Sequence, residues 1–299
     1  MKIPSKTMLF LAAGVLASVA NAEDQSVFAP RPESADPATS VFAPRPTGAA
    51  RQGESAAKLT LQFDATYLSD YVYRGVDYTK VSSRQGVDVA LGMQLSLDPG
   101  PGLPKPFVSL ETNGFDADPE SHWQFVRPTA GVQWTWKSVT LTGGLTSSIY
   151  PNRDDFNTSE VFTQAQLDDS KLWGTPQPLL NPSLLAAYDY DLNNGWYVQA
   201  GISHDFSLGQ TGLTLTPVAR IGYTAGWQQE FVFQVPSGTG WQHYDLGIEA
   251  RYALNSLMNL PKRYGQWSLK GSLFHTERLA ESTVGSTITW AGLGIAAEY

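Results

Sequence analysis

A period of two in hydrophobicity runs through most of this 299-residue chain and limits what it can fold into. Between residues 84 and 97, the odd positions from Val87 to Leu97 are apolar, and the even positions are small or polar. Because successive side chains of a β-strand point to opposite faces, such a segment has one apolar and one polar face. The alternation recurs from residue 59 to Tyr299, so the sequence predicts an all-β fold.

The length of these alternating segments separates two kinds of all-β protein. A strand of a soluble protein is usually about 5 or 6 residues long, whereas a tilted strand that crosses a bilayer needs about 9 to 11. Most segments here are roughly 10 to 14 residues long, which exceeds the soluble norm. Residues 59–299 are therefore predicted to form a transmembrane antiparallel β-barrel, with a soluble β-sandwich as the alternative fold.

Twelve segments can be counted, and an even number places both termini on the same side of a closed barrel. The ninth segment covers residues 227–235. The segments begin near residues 59, 84, 105, 122, 138, 180, 195, 213, 227, 241, 266 and 287.

The N-terminus has the pattern of a secretory signal peptide. Lys2 and Lys6 precede an apolar run from Met8 to Ala20, and a small-x-small pattern ends at Ala22. Residues 1–22 are therefore predicted to be a signal peptide that is cleaved after Ala22. This places the mature chain in the periplasm, in the outer membrane or outside the cell of a Gram-negative bacterium.

Residues 23–58 differ in composition from the rest of the chain. They are rich in Pro, Ala and Ser, show no periodicity, and contain the heptapeptide Ser-Val-Phe-Ala-Pro-Arg-Pro twice, at 26–32 and 40–46. Such a segment buries too little apolar surface to offset its ordering entropy, so it is predicted to be a flexible linker. The repeats are either a duplicated linker or a docking motif for a periplasmic partner.

Composition and charge exclude several function classes. The chain contains no cysteine, which excludes a disulfide scaffold and a thiolate metal site. Removal of Lys2 and Lys6 with the signal peptide changes the net charge from −8 to −10, which argues against nucleic acid as a partner. No later segment approaches the ~20 apolar residues of a membrane-spanning helix. The sequence indicates no cofactor and no metal.

Aromatic residues and connections support a barrel in a membrane. Rings with a polar edge favour the headgroup level of a bilayer. The tight turns at 137–138 and 191–195 and the Pro/Gly turn at 99–102 are assigned to the periplasmic side. The longest connection, 151–178, and the shorter 207–212 are assigned to the outer side. The aromatic residues assigned to girdles are Trp123, Trp134, Trp136, Trp196, Tyr197, Trp227, Trp241, Tyr244, Trp267 and Trp290.

The last strand carries a recognisable end. Leu293, Ile295 and Ala297 alternate with smaller or polar residues up to the terminal aromatic Tyr299. This pattern resembles the C-terminal signal through which the barrel-insertion machinery recognises outer-membrane barrels, although Phe is the more usual last residue. The sequence thus predicts insertion into a bilayer in contact with lipopolysaccharide.

A short motif resembles a known family. Residues 68–76 read Leu-Ser-Asp-Tyr-Val-Tyr-Arg-Gly-Val, and the match extends over residues 63–77 and less clearly over 86–113. The segment is similar to the opening strand and loop of the TorF-type porin family. The resemblance implies an outer-membrane channel and supplies no catalytic residue. Asp70, Tyr71, Tyr73, Arg74 and Gly75 form the rim motif, interpreted as a structural clasp or as a charged gate.

The polar faces of the strands carry more acids than bases. Rings of one charge sign set the ion preference of pores, so a modest cation preference is predicted for a passive channel. Alternatively, these charges pair across the lumen and close it, which gives a non-conducting structural barrel. The residues predicted to face the lumen are Asp64, Asp88, Glu111, Asp189, Asp205, Glu230, Asp245, Glu249, Arg127, Arg220, Arg251 and Lys270.

A hydrolase at the barrel rim is the remaining alternative. His243 is predicted to face inward near the outer rim with Asp245 two residues away on the same face, which suits a general base held by a carboxylate. No serine is identified as its nucleophile, and the chain is predicted not to be an enzyme. The acidic pairs at 154–155 and 168–169 are predicted to be solvated loop charges, with Ca²⁺ binding as the alternative.

Overall fold

The computed structural model describes residues 57–77, 88–115, 124–151, 154–227, 238–279 and 287–299. The predicted signal peptide and both heptapeptide repeats lie outside these residues. The strands, in chain order, are β1 (Lys58–Leu68), β2 (Val72–Tyr73), β3 (Val76–Asp77), β4 (Asp88–Asp98), β5 (Lys105–Phe115), β6 (Gln124–Trp136), β7 (Val139–Ser148), β8 (Thr158–Leu167), β9 (Ser183–Asp189), β10 (Gly195–Ser203), β11 (Phe206–Ser207), β12 (Leu213–Trp227), β13 (Gly238–Ala253), β14 (Gln266–Arg278) and β15 (Ile288–Glu298).

Twelve of these strands form one closed antiparallel barrel. Their order around the wall is β1, β4, β5, β6, β7, β8, β9, β10, β12, β13, β14 and β15, and β15 pairs with β1. In the closing ladder, Phe63 lies opposite Ala297 and Leu68 lies opposite Gly292. The predicted twelve-stranded barrel is therefore confirmed. Strand β11 is a short addition paired with β12, and β2 and β3 form a separate hairpin.

The two faces of the wall follow the alternation in the sequence. On β4 the even residues from Asp88 to Gln94 are buried, and Val89, Leu91 and Met93 are exposed. The same division holds on β6, where Arg127, Thr129 and Gln133 are buried. Because the apolar face points away from the lumen on each of these strands, the barrel has an apolar exterior and a polar interior.

Strand β8 was not predicted, because residues 151–178 were assigned to one long outer loop. Its inward positions Glu160 and Gln164 are polar, but its outward positions include Ser159 and Thr163. Polar residues on both faces weaken the alternation that marks the other strands. The predicted ninth segment was also wrong, since β12 pairs directly with β13 and leaves no wall strand between them. The two errors cancel in the strand count.

The missing strand reversed the side assigned to residues 168–178, which join β8 to β9 at the terminal end, and to two further connections. The turn at 190–194 joins β9 to β10 at the barrel end opposite the termini, not at the predicted periplasmic end. The connection 204–212 lies at the terminal end, although residues 207–212 were assigned to the outer side. The turns at 99–104 and 137–138 lie at the terminal end, as predicted.

Most of the aromatic residues assigned to girdles do project outward. Trp134, Trp136, Trp196 and Trp241 are exposed near strand ends. Two assignments were wrong, because Tyr197 and Trp290 occupy inward positions and are buried. Their apolar character cannot reveal the face they occupy, which depends on strand register. Trp123 and the side chain of Trp227 lie outside the described residues.

The connection after β8 is organised by one carboxylate. Asp169 is buried and accepts hydrogen bonds from the backbone N–H groups of Leu179, Leu180 and Asn181 and from the indole of Trp173, at 2.8–3.2 Å. Burial by itself raises the pKa of the Asp169 carboxyl, but these donors, led by the Leu180 N–H, hold that pKa below its usual value. Asp169 is therefore a structural acceptor and not the solvated charge that was predicted.

Among the described residues, helical structure is confined to short turns such as Ser170–Trp173 and Leu254–Leu257. Across the described ranges, no helix has the length and apolarity needed to cross a membrane.

Replacing Leu293 with Arg tests whether lipid covers the outer face. Leu293 lies at the middle of β15 and is 59% exposed, so in a water-soluble protein the change should be nearly neutral. At the midplane of a bilayer it should cost about 2–4 kcal/mol. Urea unfolding in lipid vesicles measures this cost, and an unchanged free energy of unfolding would contradict a lipid-facing wall.

Replacing Asp169 with Asn should lower the thermal stability most at neutral pH. A carboxyl with a depressed pKa in the folded state stabilises the fold above its unfolded pKa, and that contribution is lost as the pH falls through the folded pKa. The difference in Tm between wild type and Asp169→Asn should therefore shrink in acid. The exposed Asp191→Asn serves as the control, and a difference that is constant with pH would refute the role of Asp169.

Candidate functional site

The rim motif folds into the barrel as a small hairpin. Strands β2 and β3 pair through Val72 with Asp77 and Tyr73 with Val76. The turn residues Arg74 and Gly75 have φ angles of +52° and +76°. Positive φ at both central residues suits a two-residue hairpin turn, and glycine adopts it without steric cost. The hairpin places Arg74 at a tip that points into the lumen, at the barrel end opposite the termini.

Apolar packing holds the base of the hairpin inside the barrel. Tyr71 and Val72 are buried, and the Tyr71 ring lies 5.5 Å from that of Phe125 on β6. Tyr71, Val72 and Phe125 lie on the inner face of the wall, which is polar elsewhere. The lumen therefore contains a hydrophobic cluster at the level of the hairpin base. The buried members of the cluster are Leu68, Tyr71, Val72, Ala90, Phe125, Val218, Phe274, Ile288 and Trp290.

At its tip, the hairpin is joined to the opposite wall by a buried ion pair. The two terminal guanidinium nitrogens of Arg74 donate to the two carboxylate oxygens of Glu160, each at 2.7 Å. Strand β8, which carries Glu160, lies five positions from β1 among the twelve wall strands. The Arg74–Glu160 ion pair, called the latch below, therefore spans the lumen. The guanidinium also lies 4.4 Å from the ring centre of Tyr197 on β10. Bidentate geometry makes this kind of pair strong and directional.

The other side of the tip rests on His243. A Cβ built on Gly75 would lie 2.4 Å from the His243 ring, so only glycine fits at this contact. His243 is fully buried, stacks on Tyr197 at 6.2 Å between ring centres, and has its Nε2 at 3.5 Å from Asp245. Asp245 accepts a hydrogen bond from Thr276 at 2.8 Å. The hairpin tip therefore packs against His243 on β13, which is itself stacked on Tyr197 of β10.

Beside the latch lies a small cavity of about 50 Å³. Arg127 contributes to its wall, lies 4.2 Å from the Tyr73 ring centre, and donates to Ser148 at 3.2 Å. Its guanidinium also lies 3.7 Å from the Glu111 carboxylate. Tyr73 thus lies within 5 Å of two guanidinium groups, those of Arg74 and Arg127.

The structure places most of the predicted lumen residues on the inner face. Arg251 and Lys270 are only half-buried, Asp205 lies in the connection after β10, and Glu230 lies outside the described residues. The predicted lumen residues that are buried are Asp64, Asp88, Glu111, Arg127, Asp189, Arg220, Asp245 and Glu249.

Several of these charges pair between wall strands that are adjacent or separated by one strand. Arg220 lies 3.5 Å from Glu249, and Lys270 forms an ion pair with Asp64. Asp70, by contrast, accepts a hydrogen bond from Ser69 at the base of the hairpin, while Arg74 pairs with Glu160. Asp70 therefore stays at the rim, whereas Arg74 crosses the lumen to Glu160.

Sequence reasoning missed the partners of Arg74. Glu160 lies in the predicted loop, and Tyr197 was assigned to the lipid face. The signal that could have identified Glu160 is the alternation of Thr158, Glu160 and Gln164 with Val161 and Ala165. The outward Thr163 hides this alternation, because it places a polar residue among the outward apolar positions.

His243 does not suit a hydrolase at the rim. It does share a face with Asp245, as predicted, but Gly75, Gly222 and Tyr197 cover its ring, so a substrate cannot reach it. In the part of the chain that the structure describes, no group of three or more His, Cys, Asp or Glu side chains could hold a metal ion.

Comparisons with known proteins show similarity in fold only. The chain matches no family model and no curated protein sequence, so the TorF-type resemblance rests on its motif alone. Solved structures of similar fold include the NanC porin, with 9% identity over 79% of this chain and 98% of that one and a TM-score of 0.46. An outer membrane channel from Pseudomonas putida F1 has 11% identity over 83% and 97% and a TM-score of 0.47. LpxR from Salmonella typhimurium has 9% identity over 79% and 99% and a TM-score of 0.43. Values this low say nothing about what this chain binds or transports.

Replacing Gly75 with Ala should force the hairpin tip away from His243. The added methyl group meets both an unfavourable φ and a neighbouring ring, so we expect a loss of about 2–4 kcal/mol of stability. Gly102→Ala is the matched control, because Gly102 has the same φ of +76° but nothing within 4 Å. Equal losses of unfolding free energy in the two variants would show that the tip does not pack on His243.

Proposed function

We propose that this chain is an outer-membrane channel for small solutes whose outer mouth is closed by the latched hairpin. The observation that carries the proposal is the Arg74–Glu160 pair, which connects a short two-stranded hairpin to the far wall of the lumen. The hairpin itself has only a two-residue ladder, so its inward position depends on side-chain contacts and not on the sheet of the wall.

The exterior of the barrel supports a location in the outer membrane. Exposed apolar side chains form its outward face, and exposed aromatic residues lie near both strand ends. A closed ladder leaves the backbone of the wall paired, as a hydrocarbon environment requires. With the termini on the periplasmic side, the hairpin lies at the outer mouth, and β15 presents the C-terminal insertion signal to the periplasm.

The lumen beyond the hairpin supports passage of polar solutes. Towards the terminal end, the inner face carries the buried polar side chains Gln94, Ser109, Gln133, Thr142 and Thr216. Twelve strands give a bore between that of small filled barrels and that of large porins. Displacement of the hairpin, together with rearrangement of these side chains, would open a narrow polar path.

The charge of the inner face supports a modest cation preference. Among the described residues of the wall and hairpin, eight buried carboxylates face three buried guanidinium groups. An excess of fixed negative charge in a narrow lumen raises the local concentration of cations. The buried acids are Asp64, Asp77, Asp88, Glu111, Glu160, Asp189, Asp245 and Glu249, and the buried bases are Arg74, Arg127 and Arg220.

Replacing Glu160 with Gln should open the channel. Removal of one partner of a buried ion pair leaves the other charge uncompensated, which typically costs about 3–5 kcal/mol. Here this cost destabilises the inward position of the hairpin. In planar bilayers we expect single-channel conductance or open probability to rise several-fold, with a reversal potential that favours cations in a KCl gradient.

Glu249→Gln is the control, because it removes the partner of Arg220 and leaves the latch intact. We expect it to keep the wild-type open probability. If Glu160→Gln remains folded by its heat-modifiable migration but conducts no more than wild type, the barrel is a structural one and not a latched channel.

A further inference from the structure

The lipid-facing wall carries a polar triad that the channel does not use. Odd-numbered residues of β14 and β15 point outward, and the register places His275 directly opposite Thr289. The Nδ1 atom of His275 lies 3.1 Å from the Thr289 hydroxyl, and its Nε2 atom lies 3.5 Å from Glu277. The side chains of His275 and Glu277 are 43% and 35% exposed. A hydroxyl, an imidazole and a carboxylate are therefore aligned on the outer surface.

A hydroxyl next to an imidazole, with a carboxylate on the far side of the imidazole, is the arrangement that activates a hydroxyl as a nucleophile. The Glu277 carboxylate 3.5 Å from Nε2 favours the tautomer that is protonated at Nε2, and the Nδ1 lone pair then faces the Thr289 hydroxyl and can accept its proton. The carboxylate fixes this tautomer and stabilises the imidazolium that forms, which is the role of the acid in nucleophile–His–carboxylate triads. His243, by contrast, is fully buried against the hairpin tip.

The height of the triad suits the ester region of a membrane lipid. His275 lies three residues before the outer end of β14 at Arg278, and Thr289 is the second residue of β15. Below the triad, towards the barrel middle, the outward side chains Leu273 and Leu293 are among the most exposed apolar residues of the wall. An acyl chain lying along these leucines would bring its ester carbonyl to the level of Thr289, where water also reaches.

We propose that Thr289, His275 and Glu277 form an acyl-transfer site for ester-linked membrane lipids. Thr289 Oγ1 bonds to the ester carbonyl carbon while its proton passes to His275 Nδ1. The bond to the lipid alcohol then breaks, and the leaving oxygen takes that proton. The products are a lipid with one chain fewer and an acyl ester of Thr289. Water hydrolyses this ester through His275, which returns the proton to the threonine oxygen and releases a fatty acid.

The environment predicts that this chemistry is slow. The backbone N–H groups of β14 and β15 around the triad belong to the wall ladder, so they are not available to stabilise an oxyanion. General-base assistance alone contributes roughly 10²–10⁴-fold. We therefore expect the acyl ester of Thr289 to accumulate, and this makes the adduct a more sensitive readout than turnover.

The test uses the folded full chain in vesicles of dipalmitoyl phosphatidylethanolamine. Intact mass should show a fraction of wild type carrying one palmitoyl group, and peptide mapping should place it on Thr289, with an equal amount of lysolipid released. Thr289→Ser should acylate faster, since a primary hydroxyl is less hindered. Thr289→Val should abolish the adduct, and His275→Gln should reduce its rate of formation by roughly 10²-fold.

Thr163→Val is the matched control, because Thr163 is an outward threonine on β8 that lies opposite Gly143 and Ala186. It should acylate like wild type. The proposal is overturned if wild type and Thr289→Ser both stay unmodified while folded, or if His275→Gln acylates at the wild-type rate. The inference rests on the proposed membrane location but not on conduction, so bilayer conductance measured on the same preparations tests the channel separately.

Discussion

The antiparallel ladder between β1 and β15 joins the two edges of the sheet, and the rest of the structure depends on it. Without this ladder, both edge strands would present unpaired backbone groups, which lipid does not tolerate. Closure fixes the curvature of the wall and therefore decides which side chains share the lumen. It also places Leu68, the last residue of β1, at the rim, so that the chain continues into the lumen as a hairpin.

The hairpin combines two kinds of interaction with different consequences. Its base is held by apolar packing of Tyr71 and Val72 in a hydrophobic cluster, which is non-directional and tolerant of small movements. Its tip is held by the Arg74–Glu160 pair and by the contact of Gly75 with His243, which allow one geometry. Because a buried ion pair adds little net stability compared with apolar packing, its value here is specificity of position. Loss of the latch can therefore free the tip while the base stays in place.

Polar residues occur on both faces of the wall, but they have different surroundings. Inward charges such as Arg220 and Glu249 lie beside one another in a polar lumen. Outward ionisable groups such as His275 and Glu277 face the side on which lipid is expected, where uncompensated polarity is costly. Their position near the outer end of β14 lessens this cost, because that level is partly hydrated. The same position brings them within reach of lipid esters.

The sequence by itself determined the two-faced strands, the all-β barrel class and the inward position of residues such as Asp88 and Arg127, because a period of two encodes which face is polar. It failed at β8, where outward Ser159 and Thr163 remove the contrast between the faces, and at Tyr197 and Trp290, whose apolar rings suit lipid and lumen equally. Only the tertiary structure could decide that Arg74 meets Glu160, since 86 residues separate them and closure of the barrel brings them together. The pairing of His275 with Thr289 likewise depends on the register of two strands, which no local pattern specifies.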